Sequence, residues 1–161
     1  MHPRAAQLIS SMELASHPEG GYFREVFRSA ATVEPGDGRG RRTALTSIYF
    51  LLPAGAVSRW HRVRSDEAWH YAEGAPVELL QLSSDELRVE RTRLGPDGPD
   101  QRPVHCVPAG TWQAARSLGD YTLVGCTVGP GFEYDDFELL ADLPQLASRL
   151  TGVLPDVGEF L

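Results

Sequence analysis

The sixteen residues RWHRVRSDEAWHYAEG, positions 59 to 74, hold two of the chain's five histidines, two of its three tryptophans and three acids. Imidazole and carboxyl groups this close can share a proton, serve as general acid and base, or bind a divalent metal ion. Residues two apart on a strand share a face, so His61 and Val63 look the same way, and Glu67, Trp69 and Tyr71 form a second such set. His70 then faces away, unless a bulge between Glu67 and His70 re-aims one of them.

These groups need a scaffold, and 161 residues suit one domain, 1–161, with one core. The segment AAQLISSMEL after His2 and Pro3 has apolar residues at helical spacing and predicts a short helix. GYFREVFRS alternates as a strand with one face in the core, TVEPGDGRGRR reads as an exposed, mobile loop, and Thr43 to Leu52 as a buried strand. The runs AVSRWHRV, EAWHYAEG, VELLQLS, LRVERTRL, HCVPAGTWQAARS and YTLVGCTV follow as strands, with turns at SD, GAP, SSDE and PDGPDQ. Turn signals every 8 to 12 residues and no helical period from Tyr22 to Leu140 predict an all-β barrel or sandwich. DLPQLASRLTGVLP supplies a closing helix, with Asp142 as its cap and Pro144 in its first turn.

Fifteen basic residues against 22 acidic ones give a net charge of −7, and no basic cluster is set among aromatics, which argues against nucleic acid as a partner. No apolar run approaches the roughly 20 residues that span a bilayer, and the first residues lack the pattern of a signal peptide. The expectation is a soluble, cytoplasmic protein without membrane contact. Cys106 and Cys126 lack metal or redox spacing and read as thiols in the core or on strands.

Gly55, His61, Val63, Glu67 and Gly74 fall at the spacing of the first cupin motif, G-x5-H-x-H-x3-E-x6-G, with valine at the second histidine. Pro108, Gly110 and Gln113 match the second, P-x-G-x2-H, with glutamine at the histidine. The words HPEGGYFRE (17 to 25), SIYFLL (47 to 52), SDEAWHY (65 to 71), VPAGTWQAAR (107 to 116) and VGCTVGPGFEYDDFEL (124 to 139) are similar to those of the cupin type 5 subfamily, DUF985. The resemblance implies a jelly-roll β-barrel of the cupin (RmlC-like) type with short helices at both termini, an open mouth, a small-molecule substrate and assembly as a homodimer.

The motif position implies that Glu67 points into the barrel, and Trp69 and Tyr71 follow it. One reading is a divalent transition metal (iron, manganese, nickel or zinc) held by His61, Glu67 and Gln113, with His70 as a substitute ligand on a bulged strand. That site would suit an oxygenase or lyase. The other needs no metal: His61 is a general acid or base oriented by Glu67, with Tyr49, Tyr71 or Tyr22 as the opposing proton donor. Trp60, Trp69 and Trp112 offer flat surfaces to a ring-shaped or conjugated substrate. Arg24, sharing Tyr22's face, and Arg59, sharing His61's, would hold a substrate carboxylate or phosphate, with surface salt bridges as the alternative. In PGFEYDDFEL an edge strand is expected, with a structural rather than catalytic Asp136. With two motif imidazoles missing, the chemistry expected is isomerase or epimerase-type proton transfer on a small polar substrate, such as a sugar nucleotide or carbonyl compound. A non-catalytic binding protein and a plain buried His61–Glu67 pair are the alternatives.

Overall fold

The computed structural model describes residues 1–83 and 88–161. A first helix, α1 (Pro3–Ser11), is followed by β1 (Ala15–Ser16), β2 (Tyr22–Arg28), β3 (Thr32–Val33), β4 (Arg42–Thr43), β5 (Thr46–Pro53), β6 (Val57–Val63) and β7 (Asp66–Gly74). Then come β8 (Val77–Leu82), β9 (Val89–Leu94), β10 (Val104–Val107), β11 (Gln113–Ser117), β12 (Tyr121–Gly129), β13 (Phe137–Leu139) and the closing helix α2 (Pro144–Val153). The larger strands form two antiparallel sheets, β1-β2-β5-β12-β7-β10 and β13-β6-β11-β8-β9. This is the two-sheet jelly roll that the motif resemblance implies, and β6 and β7 place the two halves of the 59–74 stretch on opposite sheets.

Alternation along the strands sorts the side chains into three apolar layers. Between the sheets, Phe50, Leu52, Trp69, Leu79, Val107, Ala115, Val124 and Cys126 pack as one core. Outside the smaller sheet, α2 and the chain end cover Trp60, Leu80, Trp112, Ala114, Leu140 and Phe160. Outside the larger sheet, Ala5 and Leu8 of α1 pack on Leu51 and Leu123. Leu51 beside Phe50 and Leu52 is thus buried although it faces the other way, because α1 shields that end of β5. Among the described residues, no helix is long and apolar enough to cross a membrane.

Several elements differ from the sequence expectation. Only the first residues of β2 are half-buried; Val26 and Phe27 are exposed. β2 lies near the sheet edge with only the two-residue β1 beyond it, and its register on β5 shifts between Glu25 and Phe27. The glycine-rich segment expected as a loose loop contains the β3–β4 pair, and its Arg39 and Arg42 turn inward onto Asp136. HCVPAGTWQAARS is two strands, β10 and β11, in different sheets. Asp142 does not cap α2: it ends a short 3-10 turn, and Leu143 takes the cap position without a side-chain hydrogen bond. Pro144 does begin that helix. The turn expected over SSDE lies, past Ser83, outside the described residues.

Candidate functional site

A cavity of about 150 Å³ opens between the sheets, walled largely by aromatic and aliphatic side chains, with His17, Glu19, His61 and Glu67 as its buried polar surface. β6 supplies the central group. Pairing of β6 with β11 skips a register between His61 and Ser58, so β6 carries an extra residue and both Ser58 and His61 point inward. The bulge also turns the Arg59 carbonyl toward the ring, and His61 Nδ1 lies 2.8 Å from that oxygen. A carbonyl only accepts, so Nδ1 carries the proton and Nε2 presents its lone pair.

Nε2 faces a residue that no motif singled out: Glu19 Oε2 lies 3.3 Å away. The turn HPEGG places it. Gly20 adopts φ +111, and a Cβ there would fall inside the van der Waals shell of the Val57 carbonyl oxygen, so glycine lets the turn press against β6. Arg59 N–H donates to the Glu19 carbonyl at 2.8 Å, and Ser58 Oγ donates to Glu19 Oε1 at 2.8 Å. On the far side, His17 Nδ1 accepts from the Glu19 amide at 3.2 Å and sits 3.5 Å from Oε2. Oε2 therefore lies between two imidazole lone pairs, an arrangement that requires a proton shared between Glu19 and His61. The electrostatics agree: burial pushes the Glu19 carboxyl up to about 7, and burial pushes both imidazoles down.

Glu67 enters from β7, and with His61 only 2% and Glu67 only 7% exposed, both are buried at the inner end of the cavity. Burial raises the Glu67 pKa, opposed by the His61 charge. Its orientation comes from Gln113, whose Nε2 donates to Glu67 Oε2 at 2.5 Å while its Oε1 accepts from Trp69 Nε1 at 3.1 Å. Trp69 only donates, so the amide can be oriented in one way alone. The Cys126 thiol also bonds Glu67, and burial pushes that thiol well above its usual value.

The metal set expected from the resemblance does not fit these groups. His61 Nε2 is turned to Glu19, and the only amide oxygen of Gln113 is committed to Trp69. His70 is exposed, outward between Gly125 and Val104, because no bulge separates it from Glu67. Among the described residues, no three His, Cys, Asp or Glu side chains converge as metal ligands.

Of the other expected site residues, Trp69 lines the cavity, as does Val63, the valine at the motif's second histidine. Tyr71 packs against the inter-sheet core and its hydroxyl donates to the Gly74 carbonyl at 2.6 Å, away from His61. Tyr49 is 39% exposed on the outer face of β5, and Tyr22 packs in the α1 layer. Trp60 and Trp112 belong to the α2 layer, where Trp60 Nε1 donates to Val157 and Arg62 lies over the Trp112 ring. Arg24 bonds Met12 and Glu13 outside the barrel, since on β2 it is Phe23 and Glu25 that face inward. Arg59, expelled by the β6 bulge, bonds the Pro18 carbonyl instead. Asp136 is structural: Arg42 grips both its oxygens at 2.8 and 2.9 Å, and Arg39 adds a third bond at 3.3 Å. The residues missed are His17, Glu19, Phe23 and Arg28. HPEGGYFRE contains the first three, but nothing in it says which side chains meet His61.

Comparison with known proteins agrees with this architecture. The family described as "Cupin superfamily (DUF985)" matches residues 6–140. The uncharacterized protein YML079W of Saccharomyces cerevisiae is 28% identical over 150 residues, covering 83% of this chain and 74% of its own length. Protein SO0799 from Shewanella oneidensis is 33% identical with a TM-score of 0.83, over 97% of this chain and 96% of its own. A hypothetical protein from Leishmania major is 31% identical with a TM-score of 0.82, again over 97% and 96% of the two chains. With the sheet order, the motif spacing and the family match in accord, the chain belongs to the cupin superfamily, in its DUF985 branch.

Proposed function

We propose that the protein is a proton-transfer enzyme of isomerase or epimerase type, acting on a small carbonyl compound held in the barrel cavity. The observation that carries this reading is His61: fully enclosed, fixed as the Nδ1–H tautomer by the Arg59 carbonyl, and 3.3 Å from Glu19 through Nε2. Once the shared proton has left, above the Glu19 titration at about 7, the pair takes a proton from a carbon beside the carbonyl and becomes neutral as the substrate becomes an enolate. Returning it to the other face or the neighbouring carbon completes the reaction. Glu67, pushed toward its neutral form by burial, is suited to hydrogen-bond the developing enolate oxygen. Tyr22, Tyr49 and Tyr71 lie away from this centre, which leaves the role of opposing acid to Glu67.

A sugar nucleotide is the less suitable substrate, since neither Arg24 nor Arg59 reaches the cavity to hold a diphosphate. The second reading, a binding protein without turnover, draws support from the completed chain Trp69–Gln113–Glu67, in which the polar groups already satisfy one another. Proton NMR in D₂O separates the two. Glyceraldehyde, pyruvate, acetoacetate and the ammonium ketone aminoacetone are incubated with wild type and His61→Ala, and exchange of the carbon-bound protons is followed. Exchange with a member of the set that falls about 100-fold or more in the variant supports proton transfer. No exchange anywhere, with binding of a member unchanged in His61→Ala, leaves the binding protein.

A further inference from the structure

The cavity differs from the sequence expectation in its sign of charge. Arg24 and Arg59 were the expected anchors for an anionic substrate, and both lie outside it. Among the described residues its lining holds four carboxyl groups, Glu19, Glu25, Glu67 and Glu133, against one guanidinium, Arg28. Arg28 has little left to offer a ligand: Nε and Nη2 bind the two oxygens of Glu25 at 3.0 and 2.8 Å, and Nη1 binds Glu133 at 2.8 Å. Nη2 also donates to the Phe132 carbonyl at 3.2 Å. The two histidines are held toward neutrality by burial and add no fixed positive charge.

The walls independently favour the same kind of ligand. Phe23, Phe50, Trp69, Phe132, Tyr134 and Phe137 surround the polar end, and the negative faces of aromatic rings attract cations. The buried end is rich in acceptors, since Glu19 and Glu67 present carboxyl oxygens. Such a surface matches a ligand that brings N–H donors, and an anion there would leave both itself and the carboxyls uncompensated. A cavity of about 150 Å³ takes one benzene-sized body.

From this lining we propose that the cavity takes a small cation, a compact apolar or planar body carrying a protonated amine or amidine whose charge is met by Glu19. The proposal rests on the reading of this cavity as the substrate site, and it makes the substrate of the proposed enzyme an amino-substituted carbonyl compound.

Isothermal titration with benzylammonium, benzyl alcohol and benzoate tests the sign of charge at nearly constant shape, without turnover. Near pH 8, above the titration of Glu19, benzylammonium is expected to bind about tenfold or more tighter than benzyl alcohol, and benzoate not measurably. In Glu19→Gln, which keeps an acceptor for Ser58, the preference for cation over alcohol should shrink about tenfold, while unchanged alcohol binding shows an intact cavity. Benzoate binding as tightly as benzylammonium, no binding of benzylammonium, or an undiminished preference in Glu19→Gln overturns the proposal. The outcome is separable from that of the proton-transfer reading. Anion preference with deuterium exchange removes the cationic ligand and keeps the enzyme; cation preference without exchange does the reverse.

Discussion

Glu19→Gln tests whether a carboxyl group is held neutral inside this barrel. In the folded protein Glu19 Oε1 accepts from Ser58 at 2.8 Å, and Oε2 faces two imidazole nitrogens at 3.3 and 3.5 Å. Burial raises its pKa from 4.5 to about 7. Between those values the folded protein keeps a proton that the unfolded chain has released, so this group's contribution is full below 4.5, falls as pH rises, and is level above about 7. At about 1.4 kcal/mol per pH unit, that interval costs the wild type about 3 kcal/mol. Glutamine imitates the neutral acid: its oxygen still accepts from Ser58, its amide N–H can reach toward His61, and it does not ionise. The variant should match wild type near pH 5 and exceed it by up to about 3 kcal/mol near pH 8. His61 acts oppositely, since burial lowers its pKa and its neutral form loses stability as pH falls below 6.5; this trend is common to both proteins and largely cancels in the difference. Urea unfolding, followed by fluorescence of the three buried tryptophans, would show the gain as a midpoint increase of about 1 M or more near pH 8. A variant less stable than wild type by the same amount at every pH would mean that Glu19 is an ionised partner of a charged His61, and the neutral-acid reasoning would be refuted.

Two other substitutions probe the supports of the cavity. Asp136→Ala leaves the buried Arg39 and the largely buried Arg42 without their shared carboxylate, at a cost of about 3–5 kcal/mol and a melting temperature lowered by about 10 °C or more. The Asp136 carboxyl is held below its usual range by Arg42, so its contribution is present above the unfolded value and lost as pH falls through the lower folded one. A drop of less than about 2 °C in thermal unfolding near neutral pH would show that the two arginines find other partners. Gln113→Leu removes the acceptor of Trp69 and the donor to Glu67 in one step, and should cost about 2–4 kcal/mol by urea unfolding. A loss below about 1 kcal/mol would mean that water replaces both bonds.

Most strands were legible because β-sheets leave a period of two and turns leave glycine, proline and aspartate between them. β6, β7 and β8 lie within a residue or two of the runs AVSRWHRV, EAWHYAEG and VELLQLS. Side-chain direction was legible only where that period is unbroken. Along β7 it puts Glu67 and Trp69 inward and His70 outward. On β6 an extra residue breaks it, so Arg59 does not follow His61 inward, and on β2 the choice between Arg24 and Glu25 turns on parity that the local sequence leaves open.

What the sequence by itself determined is therefore the order of strands, the family and the inward carboxyl of Glu67, all consequences of local pattern and motif spacing. Only the tertiary structure decided the partner of His61. Glu19 reaches it from a turn far away in the chain, packed on β6 through Gly20 and the Glu19 carbonyl bond to Arg59. The sign of the cavity was decided there as well, because the arginines that would have made it an anion site sit on residues one step out of phase. A one-residue change of parity moves a charge across a sheet, and no local pattern records it.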